Sequence, residues 1–298
     1  MKIGIGLKET AYTPEAYAYA SYMEKNGFSV QLENEPKLDP FNDVNIYFMG
    51  MRPFWKKKIG MAKEIHEYQS LSTAPYAYQK DFLKRYINAK PSGRIFLNQI
   101  VQRGLGFNDD IPFIYRDMGV DDALFQRPSE NPLYDIVYSG SIGGRPGLIK
   151  TILQLADRGY RVLVIGHVAD DERKILCGNK NITSVGRVER SMLPEMYRNC
   201  RYGLNYTPDI YPFNVQTSTK TLEYIASGLD VISNRYQWAE NFSNKYDFSF
   251  AWLEDFDFSV SSRSTSNENR EFIRSFSWSV ILDNSKIFSF IKNIVNLE

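Results

Sequence analysis

Cysteine and histidine are scarce in this chain of 298 residues, which holds two of each. Cys177 and Cys200 cannot staple a disulfide scaffold or fill a multi-cysteine zinc site. His66 and His167 do not supply a histidine-rich metal centre, so no metal site is expected. Long apolar runs are missing too. No stretch approaches the ~18 consecutive apolar residues of a membrane-spanning helix. The opening run MKIGIGLKETAYTPEAY lacks the apolar centre of a signal peptide. The expectation is a cytoplasmic protein in a reducing compartment. Excess charge is absent as well, with 36 Lys and Arg against 35 Asp and Glu. Nucleic-acid binders are more often plainly basic, so no nucleic-acid partner is expected.

What the chain has in quantity is aromatic residues, 14% of the total from 20 Tyr, 19 Phe and 4 Trp. Its length fits about two domains at roughly 150 residues each, large enough for cores without staples. The opening reads as a strand over 1–7, a helix over 14–26 closed by Gly27, and a strand over 28–32. Strands over 44–49 and around Ile65 follow. The same grammar restarts at Tyr134, with a strand at 135–138, a glycine-rich loop at 139–147 and a helix at 148–158. Strands at 161–165, 181–185, 202–206 and 230–233 alternate with helices at 193–199 and 219–227. This predicts an α/β fold of two Rossmann-like domains facing across a cleft. The first spans 1–130 and the second 131–277, with the joint in the Pro-rich, polar RPSENPL. A polar loop follows at 261–270, then helical segments at 271–276 and 280–295. In the last of these Ile281, Phe288, Ile291 and Val295 share one face.

Two segments could carry chemistry. YSGSIGGRPG, at 138–147, lies between a strand and a helix. Gly140, Ser141 and Gly143 let the backbone approach a ligand, and Arg145 offers a charge suited to phosphate. The spacing is not GxGxxG, so a nicotinamide site is not supported. QTSTKTLEYIASG, at 216–228, places Thr217, Ser218 and Thr219 before a helix, where hydroxyls cap free N–H groups and those groups favour an anion. Lys220 and Glu223 are three apart, on one helix face. Taken alone, the first segment reads as an ordinary tight turn and the second as a capped surface helix with an exposed ion pair.

Taken together, residues 134–282 resemble the nucleotide-sugar domain of GT-B glycosyltransferases, in particular the retaining group 1 glycosyl transferases. SGSIGGRPG stands at the family's glycine-rich loop, and VLVIG and ITSVGRV at its next strand ends. LPEMY matches its LP-x-x-Y helix, KTLEYIASGLDVIS its E-x-x-A-x-G-x-x-VI block, and FSWSVI its C-terminal SW helix, which crosses back to the first domain. The resemblance implies that Glu223 binds the donor ribose and that Arg145 and Lys220 neutralise the diphosphate. It places the amides of Thr217, Ser218 and Thr219 on the distal phosphate, and the backbone near Val188 on the base. It also implies a catalytic His66 beside the donor sugar.

Two positions depart from the family pattern. Its frequent Glu eight residues before Glu223 is Val215 here, with Asn214 or Gln216 as substitutes, and Arg145 replaces a frequent Lys. The implied activity is retaining transfer of a sugar from a nucleotide donor, a UDP-sugar first, to a glycan or lipid-linked hydroxyl in surface-polysaccharide synthesis. No cofactor or metal takes part. A nucleotide-sugar epimerase on the same fold and a silent nucleotide-sugar-binding module are the alternatives, the latter kept open by Val215.

Outside this region, residues 52–94 carry ten basic residues against three acids, interleaved with Phe54, Trp55, Phe82 and Tyr86. That composition suits an anionic membrane surface, or equally a solvated helix and loop. Asp255–Phe256–Asp257 spells D-x-D, a metal signature of another glycosyltransferase fold, and reads here as a surface turn because it lies past the last α/β strand.

Overall fold

A computed structural model describes residues 1–8, 13–73, 75–255 and 270–296. It divides into two compact units, Met1–Gly119 with Trp278–Glu298, and Val120–Ser277. In the first, strands β1 (Lys2–Leu7), β2 (Ser29–Asn34), β3 (Val44–Phe48), β4 (Lys63–Tyr68), β5 (Gly93–Phe96) and β6 (Phe113–Tyr115) alternate with helices α1 (Pro14–Lys25), α2 (Ala77–Ile87) and α3 (Gln99–Leu105). The six strands form one parallel sheet in the order β2-β1-β3-β4-β5-β6.

The alternation in KIGIGL decides what each face of this sheet buries. Ile3 and Ile5 join Val44, Ile46, Ile65 and Ile95 in an apolar core beneath Tyr19 and Met23 of α1. The opposite face carries the register partners Gly4, Asn45 and Glu64, and beside them Gly6, Tyr47, His66 and Arg94. Parallel sheets usually bury apolar residues on both faces. Here Asn45, Glu64, His66 and Arg94 are buried polar or charged groups.

The second unit repeats the plan with β7 (Tyr134–Ser139), α4 (Leu148–Asp157), β8 (Val162–Ile165), α5 (Asp170–Cys177), β9 (Ile182–Gly186), α6 (Leu193–Arg198), β10 (Cys200–Asn205), α7 (Thr219–Ala226), β11 (Asp230–Ser233), α8 (Gln237–Tyr246) and β12 (Ala251–Trp252). Its parallel sheet runs β12-β11-β10-β7-β8-β9. Ile136, Val162, Val164, Leu204 and Ile232 pack with Leu148, Ile152 and Leu155 of α4. Helix α5 escaped the sequence reading, although Asp170, Asp171 and Glu172 crowd its first turn, where the helix dipole favours acids. Many of the aromatics gather around Phe242, whose ring lies within 6.4 Å of those of Tyr246, Phe248, Phe250, Phe272 and Phe276.

Three expectations change. Residues 120–130, assigned from sequence to the first domain, belong to the second unit. Val120 bridges Ser277, and the Ser227 hydroxyl donates to the Leu124 carbonyl. The single C-terminal helix is two, α9 (Trp278–Asn284) and α10 (Ile287–Asn296), with Lys286 between them in the left-handed region at φ 56°. That break resets the helical phase. Leu282, Ile287, Phe290, Ile291 and Ile294 are buried in the first unit's core, whereas Ile281, Phe288 and Val295 are only partly covered. Finally, the polar segment 261–269 and Asp257 of the D-x-D lie outside the described residues, while Asp255 pairs with Arg235 at 3.0 Å. Among the described residues no helix is long and apolar enough to cross a membrane.

Candidate functional site

Open parallel sheets bind ligands at the carboxyl ends of their strands, and the second unit concentrates polar groups there. The loops that leave β7, β8 and β9 are stitched together through the backbone. Gly140 N–H donates to the Ile165 carbonyl (2.8 Å), Ile142 N–H to that of His167 (3.4 Å), and Gly166 N–H to that of Gly186 (2.7 Å). Gly166 sits at φ 139°, and a β-carbon there would overlap the Gly140 carbonyl oxygen. Gly166→Ala is therefore expected to destabilise the second unit by about 3 kcal/mol, seen as a lower urea midpoint. Gly143→Ala is the control, because a β-carbon there meets nothing within 4 Å.

Helix α7 supplies the charges. Lys220 Nζ is buried without a hydrogen-bond partner among the described residues and lies 4.7 Å from the centre of the Tyr138 ring. Burial, helped by the Arg145 charge and opposed by Glu223, holds its pKa well below the ordinary lysine value. Glu223 is 8% exposed, accepts the Tyr197 hydroxyl at 3.3 Å and lies 4.0 Å from Arg190 Nη2. The guanidinium of Arg145, on the loop after β7, is 5.9 Å from the Phe213 ring. Nearby in sequence, Asn214 Oδ1 and Gln216 Nε2 are also buried without partners among the described residues.

A polar knot holds the start of α7. The Ser218 hydroxyl donates to Asn205 Oδ1 and accepts from Thr221 Oγ1, both at 2.9 Å. Asn205 Nδ2 donates to Ser233 Oγ and to the Tyr236 hydroxyl, both at 3.0 Å. Ser218 occupies the N-cap position but does not cap through its side chain, contrary to expectation. Its hydroxyl is spent on Asn205, so the first-turn amides of Thr219 and Lys220 keep their donors for another acceptor. Thr217 and Thr219 are half-buried, as is Val188 after β9. Ser141 is exposed, and its carbonyl accepts the Tyr138 hydroxyl at 2.9 Å.

The arrangement is chemically an anion site beside a hydroxyl acceptor. Arg145, Lys220 and the α7 amides attract phosphate, and Glu223 can accept hydrogen bonds from a polyol. Arg145, Lys220, Glu223 and the 140–147 loop thus belong to one end of one sheet.

His66 is elsewhere. It lies in mid-strand on β4 with no exposed surface, so it is not presented to a ligand. Its Nε2 is 3.4 Å from Glu64, which also binds Arg52 at 2.6 Å. Burial lowers the His66 pKa. Glu64, raised by burial but pulled down more by His66 and Arg52, falls to about 2. His66 is therefore an interior imidazole beside a carboxylate, fully buried rather than presented at a donor sugar as expected.

Sequence reasoning missed Asn205 and the tyrosines beneath the site. Tyr224 accepts the Ser139 N–H at 2.8 Å and meets Tyr197 edge-on at 5.3 Å. A hydroxyl-bearing ring inside an otherwise apolar strand or helix face was the available signal.

No protein-family description and no curated protein matches the chain. Solved structures do match, over nearly all of both chains. AviGT4, a glycosyltransferase involved in avilamycin A biosynthesis, is 13% identical with a TM-score of 0.62 over 99% of this chain and 98% of its own. T4 phage BGT, solved with UDP and Mn²⁺, is 14% identical with a TM-score of 0.56 over 100% of each. HepE of Anabaena, solved with UDP and glucose, is 11% identical with a TM-score of 0.54 over 99% and 97%. At such identities the likeness defines the fold. The chain has the two-Rossmann GT-B fold.

Proposed function

We propose that the chain is a glycosyltransferase that moves a sugar from a nucleoside diphosphate donor, a UDP-sugar, to a hydroxyl of a glycan or lipid-linked acceptor. The observation that carries the reading is Lys220, whose buried Nζ has no hydrogen-bond partner among the described residues, on the strand-end helix of a GT-B fold. The UDP bound to BGT and HepE supports the choice of nucleotide. In this reading Arg145, Lys220 and the amides of Thr217, Ser218 and Thr219 stabilise the departing diphosphate, whose negative charge grows as the glycosidic bond breaks. Glu223 accepts the ribose hydroxyls, the backbone at Val188 meets the base, and Gly140, Ser141 and Gly143 give the donor close approach. Asn214 and Gln216 read the sugar in place of the carboxylate that Val215 lacks.

The anomeric configuration is retained, with the leaving phosphate taking the proton of the incoming hydroxyl on the same face. No protein nucleophile and no metal are required. The setting is surface-polysaccharide synthesis at the cytoplasmic face of a membrane, met through residues 52–94.

The test incubates the protein with UDP- and GDP-sugars, with and without lipid-linked acceptors, in EDTA or Mn²⁺, and follows nucleoside diphosphate release. Acceptor-dependent release in EDTA, fastest from a UDP-sugar, is expected. Turnover of donor without acceptor would favour an epimerase or hydrolase. UDP binding with no turnover under any condition would leave a binding module.

A further inference from the structure

The first unit holds a cavity of about 400 Å³ that the donor chemistry does not use. Its lining comes from the β3–β4 loop at Phe54, the end of α2 and the residues that follow it, Arg94 within β5, and Phe107 and Asp109 ahead of β6. Three cations line it, Arg85, Lys90 and Arg94, against one carboxylate, Asp109. Arg94 is 4% exposed and holds Asp109 through both terminal nitrogens at 2.5 and 2.8 Å. Its Nε is buried without a partner among the described residues. Arg85 gives its Nε to the Leu105 carbonyl at 2.9 Å. Two positive charges in the cavity are left without a counter-charge from its walls.

The rim is aromatic. Phe54 and Tyr86 line the mouth and are 67% and 63% exposed. Backbone bonds from Phe54 N–H to Ile87 and from Ala89 N–H to Arg52, both 2.8 Å, lock the 52–54 loop to the end of α2. Trp55, 65% exposed, packs on Phe54 at 5.0 Å, and Phe82 on Tyr86 at 4.7 Å. Exposed rings around a cationic cavity fit the boundary of a bilayer, where rings seat among headgroups and cations meet phosphate.

We infer that this cavity binds the phosphate of an anionic phospholipid headgroup, with Phe54, Trp55, Phe82 and Tyr86 inserted around it. The inference rests on the membrane-surface reading of residues 52–94 and adds a defined headgroup site to it. Arg85 and Lys90 supply the direct phosphate contacts, since Arg94 is occupied with Asp109.

Vesicle sedimentation tests it. The probes are phosphatidylcholine vesicles doped with phosphatidylglycerol, and charge-matched vesicles doped with cholesteryl hemisuccinate. The full chain is expected to prefer the phosphatidylglycerol vesicles by about tenfold. Lys90→Gln and Arg85→Gln should erase that preference. Lys90 is exposed, so its variant folds without difficulty. Lys57→Gln, outside the cavity, should weaken binding to both vesicles alike by about fivefold. Equal wild-type binding to both vesicles overturns the headgroup site while leaving the surface reading intact. No binding to either overturns the surface reading and the site together. Calorimetric binding of free glycerol phosphate without any vesicle preference would assign the cavity to a soluble phosphate and overturn the lipid source.

Discussion

Lys220→Met lowers acceptor-dependent nucleoside diphosphate release by about 10²–10³-fold, the loss typical of removing one preorganised charge from a transition state. The fall should lie mainly in kcat, because charge grows on the diphosphate as the bond breaks, and KM for donor should move less. Lys220 has the physical marks of such a group. Its Nζ is buried without a hydrogen-bond partner among the described residues, and the charges of Arg145 and Glu223 both act on it. Charging a lysine nitrogen buried without a hydrogen-bond partner costs free energy, and the arrangement makes sense where an anionic ligand offsets that cost. Methionine fills similar space without charge, so the variant should melt no lower than the wild type. That separates lost chemistry from lost folding. Full turnover in Lys220→Met would remove the assignment.

Proton linkage gives a second readout of the same residue. Burial lowers the Lys220 pKa in the free protein, with Arg145 adding to the shift. A bound diphosphate favours the charged form and raises that pKa again. Donor binding should therefore take up a proton increasingly as pH rises toward the lowered pKa, and weaken once Lys220 has lost its charge. Titration calorimetry in two buffers of different ionisation enthalpy measures the uptake, which should vanish in Lys220→Met.

Most strands were legible because short apolar runs between glycines, such as RVLVIG and GLDVIS, leave few other readings, whereas β5, β6 and β12 carry no such run and were not read. The unit boundary was not. RPSENPL looks like a linker, yet a β-carbon on Gly228 would come 2.7 Å from Pro128 Cδ, so the segment packs against α7's end. Composition cannot report a tertiary contact. His66 shows a different limit. Alternation in KEIHEY places it opposite Ile65, but a parallel sheet normally buries apolar groups on both faces, and sequence did not reveal that this face is polar. The C-terminal break lay in plain view, since Asp283, Asn284 and Ser285 are turn-forming residues. The aromatics divide between the Phe242 cluster, the Tyr197 and Tyr224 pair beneath the strand-end loops of the second unit, and the exposed rim at Phe54 and Trp55.

Arg116→Ala should cost the first unit about 3–5 kcal/mol, because it leaves the buried Glu67 carboxylate without its cation. Both side chains have no exposed surface. Arg116 Nη2 binds Glu67 directly, Arg116 Nε donates to the Tyr19 hydroxyl at 2.9 Å, and that hydroxyl donates to Glu67 Oε2 at 2.6 Å. The triangle ties the segment after β6 to β4 and α1. The guanidinium also lies 5.1 Å from the Trp278 ring, at the start of the returning α9. A domain's whole stability is about 5–15 kcal/mol, so the loss approaches unfolding of this unit alone. Two units need not melt as one, which makes amide exchange by residue the proper measurement. Protection should drop across β4, α1 and α9 while β7 and β8 keep theirs. The charge-free pair Arg116→Met with Glu67→Gln should recover most of the loss, since removing both ions is far cheaper than stranding one. If Arg116→Ala alone left exchange in β4 and α9 unchanged, the return of the C-terminal helices would depend on apolar packing by Leu282, Ile287 and Ile291 and not on this ion pair.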